Sequence, residues 1–401
     1  MSSVLLPERK GTTMKVIIIG AGVLGVSVAR QLAMAGEDVL LLDRWGAGTG
    51  TTATTFAWIN SYRRLDPDYH RLGLAGMEEH ARLAEQLRGS SPYFPSGALQ
   101  WADSSSEQWL ADNVERLQSL GYPAHFVTPD GATRIAGDLR IPATITSIAH
   151  FPSEGYVLPD LFVGNLLADA ERHGATCAPG HVVAIEDTPH TVSVTLAGDE
   201  VLTGDRVVLA AGRWTQPLAA QAGIDVPMVT DIGRGSQTVG LLGYARSPEL
   251  DLRCVIHSPG LNLRPSAGGQ AVLQALDLNA HVDPADPPSA DGVIARTLAR
   301  RFSALLPDPS RQAQIDLRIG FRSLPVDGHT IAGYPSGQSR VYCLVSHSGI
   351  TLAPILGRLV ATEIATDQEH DLLRAFRPTR FIGVQRSDIQ VAQHATSLGE
   401  Q

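Results

Sequence analysis

The chain is short of lysine. Its only lysines are Lys10 and Lys15, and both precede the first glycine-rich segment. A pyridoxal phosphate enzyme holds its cofactor as a Schiff base on a lysine amine. Neither lysine stands in a pocket-forming part of the sequence, and pyridoxal chemistry is therefore excluded.

Cysteine is also scarce. Cys177, Cys254 and Cys343 are odd in number, far apart and without C-x-x-C spacing. This pattern excludes a disulfide framework and a zinc ribbon, and it is typical of the reducing cytoplasm, where we expect the protein to be located. The 13 histidines form no H-E-x-x-H or comparable ligand spacing. We therefore expect no metal site.

Basic clusters and transmembrane-length apolar runs are absent from the sequence. The net charge is −9 and no basic patch stands out, so nucleic acid and an anionic membrane surface are excluded as partners. No apolar run is long enough to predict a membrane span. With 401 residues, 43% of them hydrophobic, the chain can bury a large core in two or three domains.

The most informative segment that is present is a glycine loop between two apolar runs. Residues 16–19 predict a buried strand, and Gly20, Gly22 and Gly25 have the G-x-G-x-x-G spacing. A second apolar run ends at Asp43. Strand, glycine turn, helix and acidic residue in this order predict a βαβ unit that binds an adenine dinucleotide, with Asp43 on the ribose.

An alternative interpretation of the same segment is an export signal. Lys15 and the uncharged residues up to Ala29 superficially imitate a secretory signal peptide. The glycine spacing and the acid at the end of the second strand have no place in such a signal, so we favour the dinucleotide fold.

The remaining pattern predicts an α/β (α+β) protein with two interleaved domains. A discontinuous Rossmann-like FAD-binding domain is predicted over residues 14–90, 150–226 and 318–370. A substrate domain on a mainly antiparallel sheet is predicted over 91–149 and 227–317, followed by a C-terminal extension, 371–401. Helices are expected near 67–87, 161–173, 292–306 and 351–364.

The number of segments that return to the nucleotide suggests which dinucleotide is bound. A nicotinamide dehydrogenase usually needs one glycine loop and a compact domain, whereas three separate segments return to the nucleotide here. This favours FAD. A nicotinamide-linked reductase remains an alternative and would be colourless.

Four landmarks in this order resemble one known family. They are the glycine loop with Asp43 and the segments 207–215, 320–328 and 347–354. Together they are similar to the D-amino-acid oxidase, glycine oxidase and monomeric sarcosine oxidase group of flavoproteins. The resemblance runs from Val16 to Ala365 and is thin in the insertion and in the sheet.

The resemblance implies a set of FAD-binding residues. Gly20, Gly22 and Gly25 would contact the pyrophosphate, and Thr51 and Thr52 would contact the phosphates. Val183 would contact the adenine, and residues 349–351 would contact the pyrimidine edge of the flavin. A helix N-terminus there would stabilise the anionic reduced flavin, although the segment can also be only a strand-to-helix turn. The full set is Gly20, Ala21, Gly22, Val23, Leu24, Gly25, Asp43, Arg44, Thr51, Thr52, Val183, Ala211, Gly212, Trp214, Ser348, Gly349, Ile350 and Thr351.

The resemblance also gives candidates for the reacting end of the site. Arg322 matches the arginine that binds the substrate carboxylate in amino-acid oxidases, for which a planar guanidinium is suited; it can also be a structural arginine near a turn. Sarcosine oxidases attach their flavin to a cysteine in this region, but residues 320–323 contain none. The FAD is therefore expected to be noncovalent.

Sarcosine oxidases also use a lysine to activate oxygen, and this chain has none beyond Lys15. Arg264 or His257 could supply positive charge instead, or be ordinary sheet residues. His347 is a weak catalytic candidate, one place before the position that the family pattern gives to histidine. Tyr62, with Arg63 and Arg64, is a pocket candidate or a solvated helix entry.

The sequence thus predicts FAD-dependent oxidation of a small amine or amino acid. A hydride would pass from the α-carbon to flavin N5, and the imine product would hydrolyse. Reoxidation by O2 to H2O2 is expected. The alternatives are a dehydrogenase with another acceptor and an auxiliary FAD-binding subunit of a larger complex. The oligomeric state is not predicted.

Overall fold

The computed structural model describes residues 13–62, 64–87, 91–246, 250–310 and 313–389. The described helices are α1 Val23–Met34, α2 Pro67–Gln86, α3 Glu107–Ser119, α4 Pro129–Ala136, α5 Pro159–Arg172, α6 Thr215–Gln221, α7 Val293–Ser303 and α8 Gly349–Thr366. The described strands are β1 Lys15–Ile19, β2 Asp38–Asp43, β3 Trp58–Ile59, β4 Tyr93–Phe94, β5 Ala98–Trp101, β6 His125–Phe126, β7 Ile148–Phe151, β8 Gly155–Val157, β9 Thr176–Pro179, β10 Val182–Asp187, β11 Val192–Leu196, β12 Val201–Gly204, β13 Arg206–Leu209, β14 Val239–Arg246, β15 Val255–Ser258, β16 Leu261–Pro265, β17 Gln270–Gln274, β18 Ile315–Phe321, β19 Ile331–Gly333 and β20 Val341–Val345.

A largely parallel sheet forms the first half of the architecture. Its strand order is β19-β20-β13-β1-β2-β9, and only the edge strand β19 runs antiparallel. The two faces of β1 are both buried: Val16 and Ile18 pack with α1 and α8, while Ile17 and Ile19 pack with β10 and β11. A strand covered on both sides must be continuously apolar, as residues 16–19 are.

The second sheet is mainly antiparallel, as expected. Its order is β18-β14-β17-β16-β15-β5-β7-β6, and β5 and β15 form its parallel pair. The predicted α/β (α+β) fold class is therefore confirmed. Strands from 98–151 and from 239–321 share this one sheet, which supports the interleaved organisation; the domain boundaries themselves stay predictions.

Close contacts at three glycines hold the helices around the parallel sheet. A Cβ on Gly25 of α1 would lie 1.9 Å from the carbonyl oxygen of Gly20, and one on Gly357 of α8 would lie 2.7 Å from that of Ser27. A Cβ on Gly76 of α2 would lie 2.5 Å from the carbonyl oxygen of Thr351. The elements β1, α1, α8 and α2 are thus stacked in this order, with backbone contact between neighbours.

Helix α8 is long and apolar enough to cross a membrane, which the sequence analysis did not register. Of its 18-residue window, 72% is buried inside the protein. It packs against α1 and α2, the position of a core helix.

The C-terminal segment is tied to α8 by a buried ion pair. Glu363 accepts hydrogen bonds from Arg377, from the Tyr342 hydroxyl at 2.6 Å and from the His370 backbone N–H at 2.6 Å. The side chains of Arg377 and Glu363 are 8% and 4% exposed. Both oxygens of this buried carboxylate are therefore satisfied.

We expect Arg377→Met to lower the free energy of unfolding by about 3 to 5 kcal/mol, because Glu363 is left charged and buried. Urea denaturation measures this change, and Glu363→Gln/Arg377→Met should regain part of the loss. The matched control is Arg374→Met, whose pair with Asp371 is exposed and should change stability by less than about 0.5 kcal/mol. Equal effects of the two single substitutions would contradict the prediction.

Candidate functional site

A cavity of about 400 Å³ follows the carboxyl edge of the parallel strands. It runs from Asp43 at the end of β2, past Gly20 after β1 and Ala210 after β13, to Ser346 and His347 after β20. The carboxyl edge of a doubly wound sheet is where such folds bind nucleotides. Predicted residues that line it are Gly20, Gly22, Val23, Leu24, Asp43, Arg44, Thr51, Thr52, Val183, Ala211, Gly212, Trp214, His347, Gly349 and Ile350.

Each of the three loop positions has glycine for a different structural reason. Gly20 has φ +103°, and a Cβ there would lie 2.5 Å from the Ala210 carbonyl oxygen. Gly25 permits the contact between helix and loop described above. Gly22 lines the cavity, and the nearest atom to its Cβ position is Thr52 Oγ1 at 3.5 Å. Of the three glycines, only Gly22 leaves open space at its Cβ position, where a pyrophosphate would fit.

Asp43, the residue predicted to contact the ribose, is fixed by backbone donors. Its Oδ2 accepts from Ala21 N–H at 2.9 Å, and its Oδ1 accepts from the N–H groups of Trp45 and Gly46 at 2.8 and 3.1 Å. Each carboxylate oxygen can accept a further hydrogen bond. Ala21 therefore acts behind the cavity by orienting Asp43, although it does not line the cavity itself.

The threonine segment joins the glycine loop to the second sheet. Thr52 Oγ1 accepts from Val23 N–H at 3.2 Å, and Thr51 Oγ1 donates to the Phe321 carbonyl oxygen at 2.6 Å. Thr51 also lies 3.3 Å from the hydroxyl of Ser323. These contacts hold the second sheet against the cavity wall.

Two helix N-termini point at the cavity. No side chain caps α1 at Gly22 or α8 at Ser348, and the first turns carry no acidic residue. Their first N–H groups lack partners within the helices and favour negative charge. One N-terminus suits a pyrophosphate and the other the pyrimidine edge of a flavin, so the residues present fit FAD.

His347, at the β20 end, is influenced by the charges of two arginines. Burial, together with the charges of Arg322 and Arg64, lowers the pKa of His347 to about 3. The imidazole is therefore neutral at neutral pH. Arg322 NH1 donates to the carbonyl oxygens of Gln237 and Val239 at 2.9 and 2.5 Å.

Three of the four predicted catalytic residues, Arg322, Arg264 and Tyr62, do not line the cavity, whereas His347 does. Arg264 is buried in the second sheet, where it donates to the carbonyl oxygens of Phe56 and Pro265. Tyr62 is buried against the same sheet and donates to Gln100. His257 is also buried, 3.0 Å from Asn262 Oδ1 and with its ring 4.1 Å from the Trp58 ring. Arg264, Tyr62 and His257 thus form contacts in the interior, between the second sheet and the segments packed on it.

Of the other predicted residues, Gly25, Ser348 and Thr351 lie next to the cavity wall without lining it. Arg63 lies outside the described residues. Several lining residues were not predicted from the sequence, among them Trp45, Thr55, Ser323 and Ser346. Of these, only Trp45 could have been predicted from the sequence, because it directly follows Asp43 and Arg44.

Trp45 belongs to a cationic aromatic cluster at the ribose end. Its ring lies edge-on to Trp214, with centroids 5.0 Å apart. The Arg44 guanidinium lies 3.6 Å from the Trp45 centroid, and that of Arg213 lies 4.1 Å from the Trp214 centroid. Two guanidinium groups thus add positive charge at this end of the cavity.

A buried carboxyl stands behind this site. Glu154 is fully buried and accepts from Trp58 Nε1 at 2.8 Å and from the Tyr122 hydroxyl at 2.6 Å. Burial raises its pKa to about 8. The carboxyl is therefore mostly protonated at neutral pH and neutralises no nearby cation.

Comparison with known proteins identifies the family. The family model for FAD-dependent oxidoreductases of the DAO type matches residues 15–363. The chain belongs to this family. It is 26% identical over 377 residues to a subunit of opine oxidase from Agrobacterium tumefaciens, covering 91% of this chain and 96% of the relative.

Other members share the whole length. A D-amino acid dehydrogenase of Xanthobacter autotrophicus is 26% identical over 457 residues, covering 95% of this chain and 99% of the relative. The fold matches the crystal structure of glycine oxidase from Geobacillus kaustophilus with a TM-score of 0.78 at 21% identity, over 92% of this chain and 100% of the other. The expected family and FAD as cofactor are thus confirmed, and the chain is an FAD-dependent oxidoreductase.

We expect Gly22→Ala and Gly25→Ala to fail in different ways. The Gly22→Ala chain should fold with unchanged stability and lose FAD affinity by at least about tenfold, because the methyl group enters space for the pyrophosphate. Gly25→Ala should destabilise the apoprotein, because its Cβ collides with Gly20. Thermal unfolding of apoprotein and fluorescence titration with FAD measure the two effects; a Gly22→Ala protein that binds FAD normally would contradict the assignment.

We expect the stability of the protein to fall as pH rises from about 5 to 8, in part through Glu154. Its folded-state pKa is raised above the ordinary value, so the folded state retains a proton that the unfolded state releases. Glu154→Gln should flatten this slope by a few kcal/mol across the range, measured by urea denaturation at several pH values. An unchanged slope in the variant would show that the carboxyl is ionised in the folded protein.

Proposed function

We propose that this FAD-dependent oxidoreductase oxidises a small amine that carries a carboxylate on the carbon next to nitrogen. The observation that supports this is the free edge of Arg322, whose charge acts on His347 at the β20 end of the cavity, although Arg322 does not line the cavity itself. The named relatives, an opine oxidase subunit and a D-amino acid dehydrogenase, favour the same class of substrate.

The geometry of Arg322 suits a carboxylate. Its NH1 is held by two carbonyl oxygens, while Nε and NH2 donate to none of the residues that the structure describes. Burial lowers its pKa to about 10, so it remains a cation at neutral pH. Nε and NH2 form the side-on edge that binds two carboxylate oxygens in parallel.

The charges around His347 favour a neutral amine. Two guanidinium groups that depress the pKa of the imidazole would also depress the pKa of a substrate ammonium placed there. The amine would then bind in its deprotonated form, which is the reactive one, and no dedicated base is needed. Bound FAD supplies the two-electron oxidation, removing a hydride from the carbon that bears the nitrogen.

We further propose O2 as the acceptor that regenerates the oxidised enzyme. The second candidate is a dehydrogenase, or the FAD-bearing subunit of a larger complex. The chain has no lysine after Lys15 to promote reaction with oxygen, and one relative is named as a subunit. Arg264, the substitute considered for that lysine, does not line the cavity.

Anaerobic mixing of the FAD-bound protein with glycine, sarcosine, D- and L-amino acids and N-carboxyalkyl amino acids tests the substrate class. We expect at least one of these to bleach the flavin absorbance, and none to do so as the methyl ester, which removes the carboxylate charge. Arg322→Gln should lower kcat/KM on the order of 100-fold. The control is the exposed Arg300→Gln on α7.

Readmission of air then tests the acceptor. Rapid return of the yellow colour with H2O2 formation supports the oxidase, whereas slow return supports the dehydrogenase or the subunit. A protein that stays yellow with every carboxylated amine contradicts the proposed substrate class.

A further inference from the structure

A second buried arginine near His347 has no acceptor for its hydrogen bonds. Arg64 is 7% exposed, and it forms no hydrogen bond or ion pair with the described part of the chain. Its NH1 is completely buried without a partner. A buried guanidinium without an anion costs several kcal/mol, so its presence calls for a ligand that supplies the acceptors.

The space around Arg64 is built to hold a guanidinium. The Arg64 guanidinium lies over the Tyr69 ring, with its central carbon 4.7 Å from the ring centroid. A Cβ on Gly73 of α2 would lie 1.9 Å from Arg64 NH1. Glycine at position 73 therefore leaves the room that the arginine occupies.

The same contacts connect Arg64 to the cavity. The Tyr69 hydroxyl donates to Ser348 Oγ at 3.0 Å, next to His347 and Gly349, which line the cavity. The charge of Arg64 acts on His347 together with that of Arg322. The charges of two cations thus act on one imidazole from different segments, the residue after β18 and the entry to α2, and neither side chain lines the cavity itself.

Among the described residues, no acidic side chain pairs with either cation. Arg64 is faced by Ser61, His70, Tyr69 and Tyr122, none of which is an anion at neutral pH. Glu154 is hydrogen-bonded to Tyr122 and Trp58 instead. A substrate with one carboxylate would neutralise Arg322 and leave Arg64 uncompensated.

We propose that Arg64 binds a second carboxylate, and that the substrates are amines carrying two carboxylate groups. This rests on the proposed function, with Arg322 binding the carboxylate next to the reacting carbon. Arg64 then selects for the second acid, carried either on the other substituent of the nitrogen or further along the same carbon chain.

Binding of inert analogues to the FAD-bound protein tests this without turnover. The probes are methylthioacetate, with one carboxylate, and two dicarboxylates, thiodiacetate and 2-(methylthio)succinate, in which sulfur replaces the amine nitrogen. Perturbation of the flavin absorbance gives each Kd. We expect at least one dicarboxylate to bind at least tenfold more tightly than methylthioacetate, and the tighter one shows where the second acid is carried.

Variants separate the two arginines. Arg64→Gln should weaken the preferred dicarboxylate by at least tenfold and change methylthioacetate by less than threefold, whereas Arg322→Gln should weaken both. Arg64→Lys, which keeps the charge, should retain part of the preference. The control is Arg71→Gln, an exposed arginine on α2 paired with Asp68. FAD content and thermal unfolding verify that each variant is folded.

Three results would overturn the inference. They are equal affinity for mono- and dicarboxylates in the unaltered protein, loss of affinity for all probes in Arg64→Gln, and no loss for any. The second would mean that Arg64 acts on the flavin or on the first carboxylate. Each can occur while carboxylated amines still bleach the flavin, so the proposed function would survive the failure of this one.

Discussion

The site depends on backbone contact between elements that side chains would otherwise keep apart. Gly25 lets α1 lie directly on the loop after β1, Gly357 lets α8 lie on α1, and Gly76 lets α2 lie on α8. These contacts place the N-termini of α1 and α8 on one cavity. They also bring the entry to α2, with Arg64, next to the loop before α8.

The two ends of the cavity differ in how their charge is satisfied. At the ribose end Asp43 is surrounded by backbone N–H donors, and Arg44 and Arg213 lie on tryptophan rings. At the β20 end Arg322 and Arg64 have no acid among the described residues to pair with. Folding has left that end positively charged and partly desolvated, which is favourable only when a ligand brings negative charge.

This asymmetry suits the chemistry of the family. A cofactor with a negative pyrophosphate is held by helix N-termini and glycines, which recognise it through the backbone. In the proposed function, the substrate acid is held by side chains. In the proposed function, the charges of Arg64 and Arg322 that depress the pKa of His347 would also keep a substrate amine unprotonated.

Sequence alone was enough for the cofactor half of the site. The glycine spacing, Asp43 and the start of α8 are local patterns whose backbone geometry follows from a few adjacent residues, and they predicted the family and FAD. The alternating strands predicted an antiparallel sheet but not which side chains face the flavin. For that reason Arg264 and Tyr62 were selected, although they lie buried between layers and away from the cavity wall.

The substrate half was decided by tertiary packing. Arg64 and Arg322 are 258 positions apart, and their approach to His347 depends on the glycine contacts that stack α1, α8 and α2 on the sheet. Whether a buried arginine has an acceptor is likewise a property of the folded neighbourhood, since any acid in the chain could have supplied one. The sequence therefore determined what the protein binds as cofactor, and the three-dimensional structure decided which charges are left for the substrate.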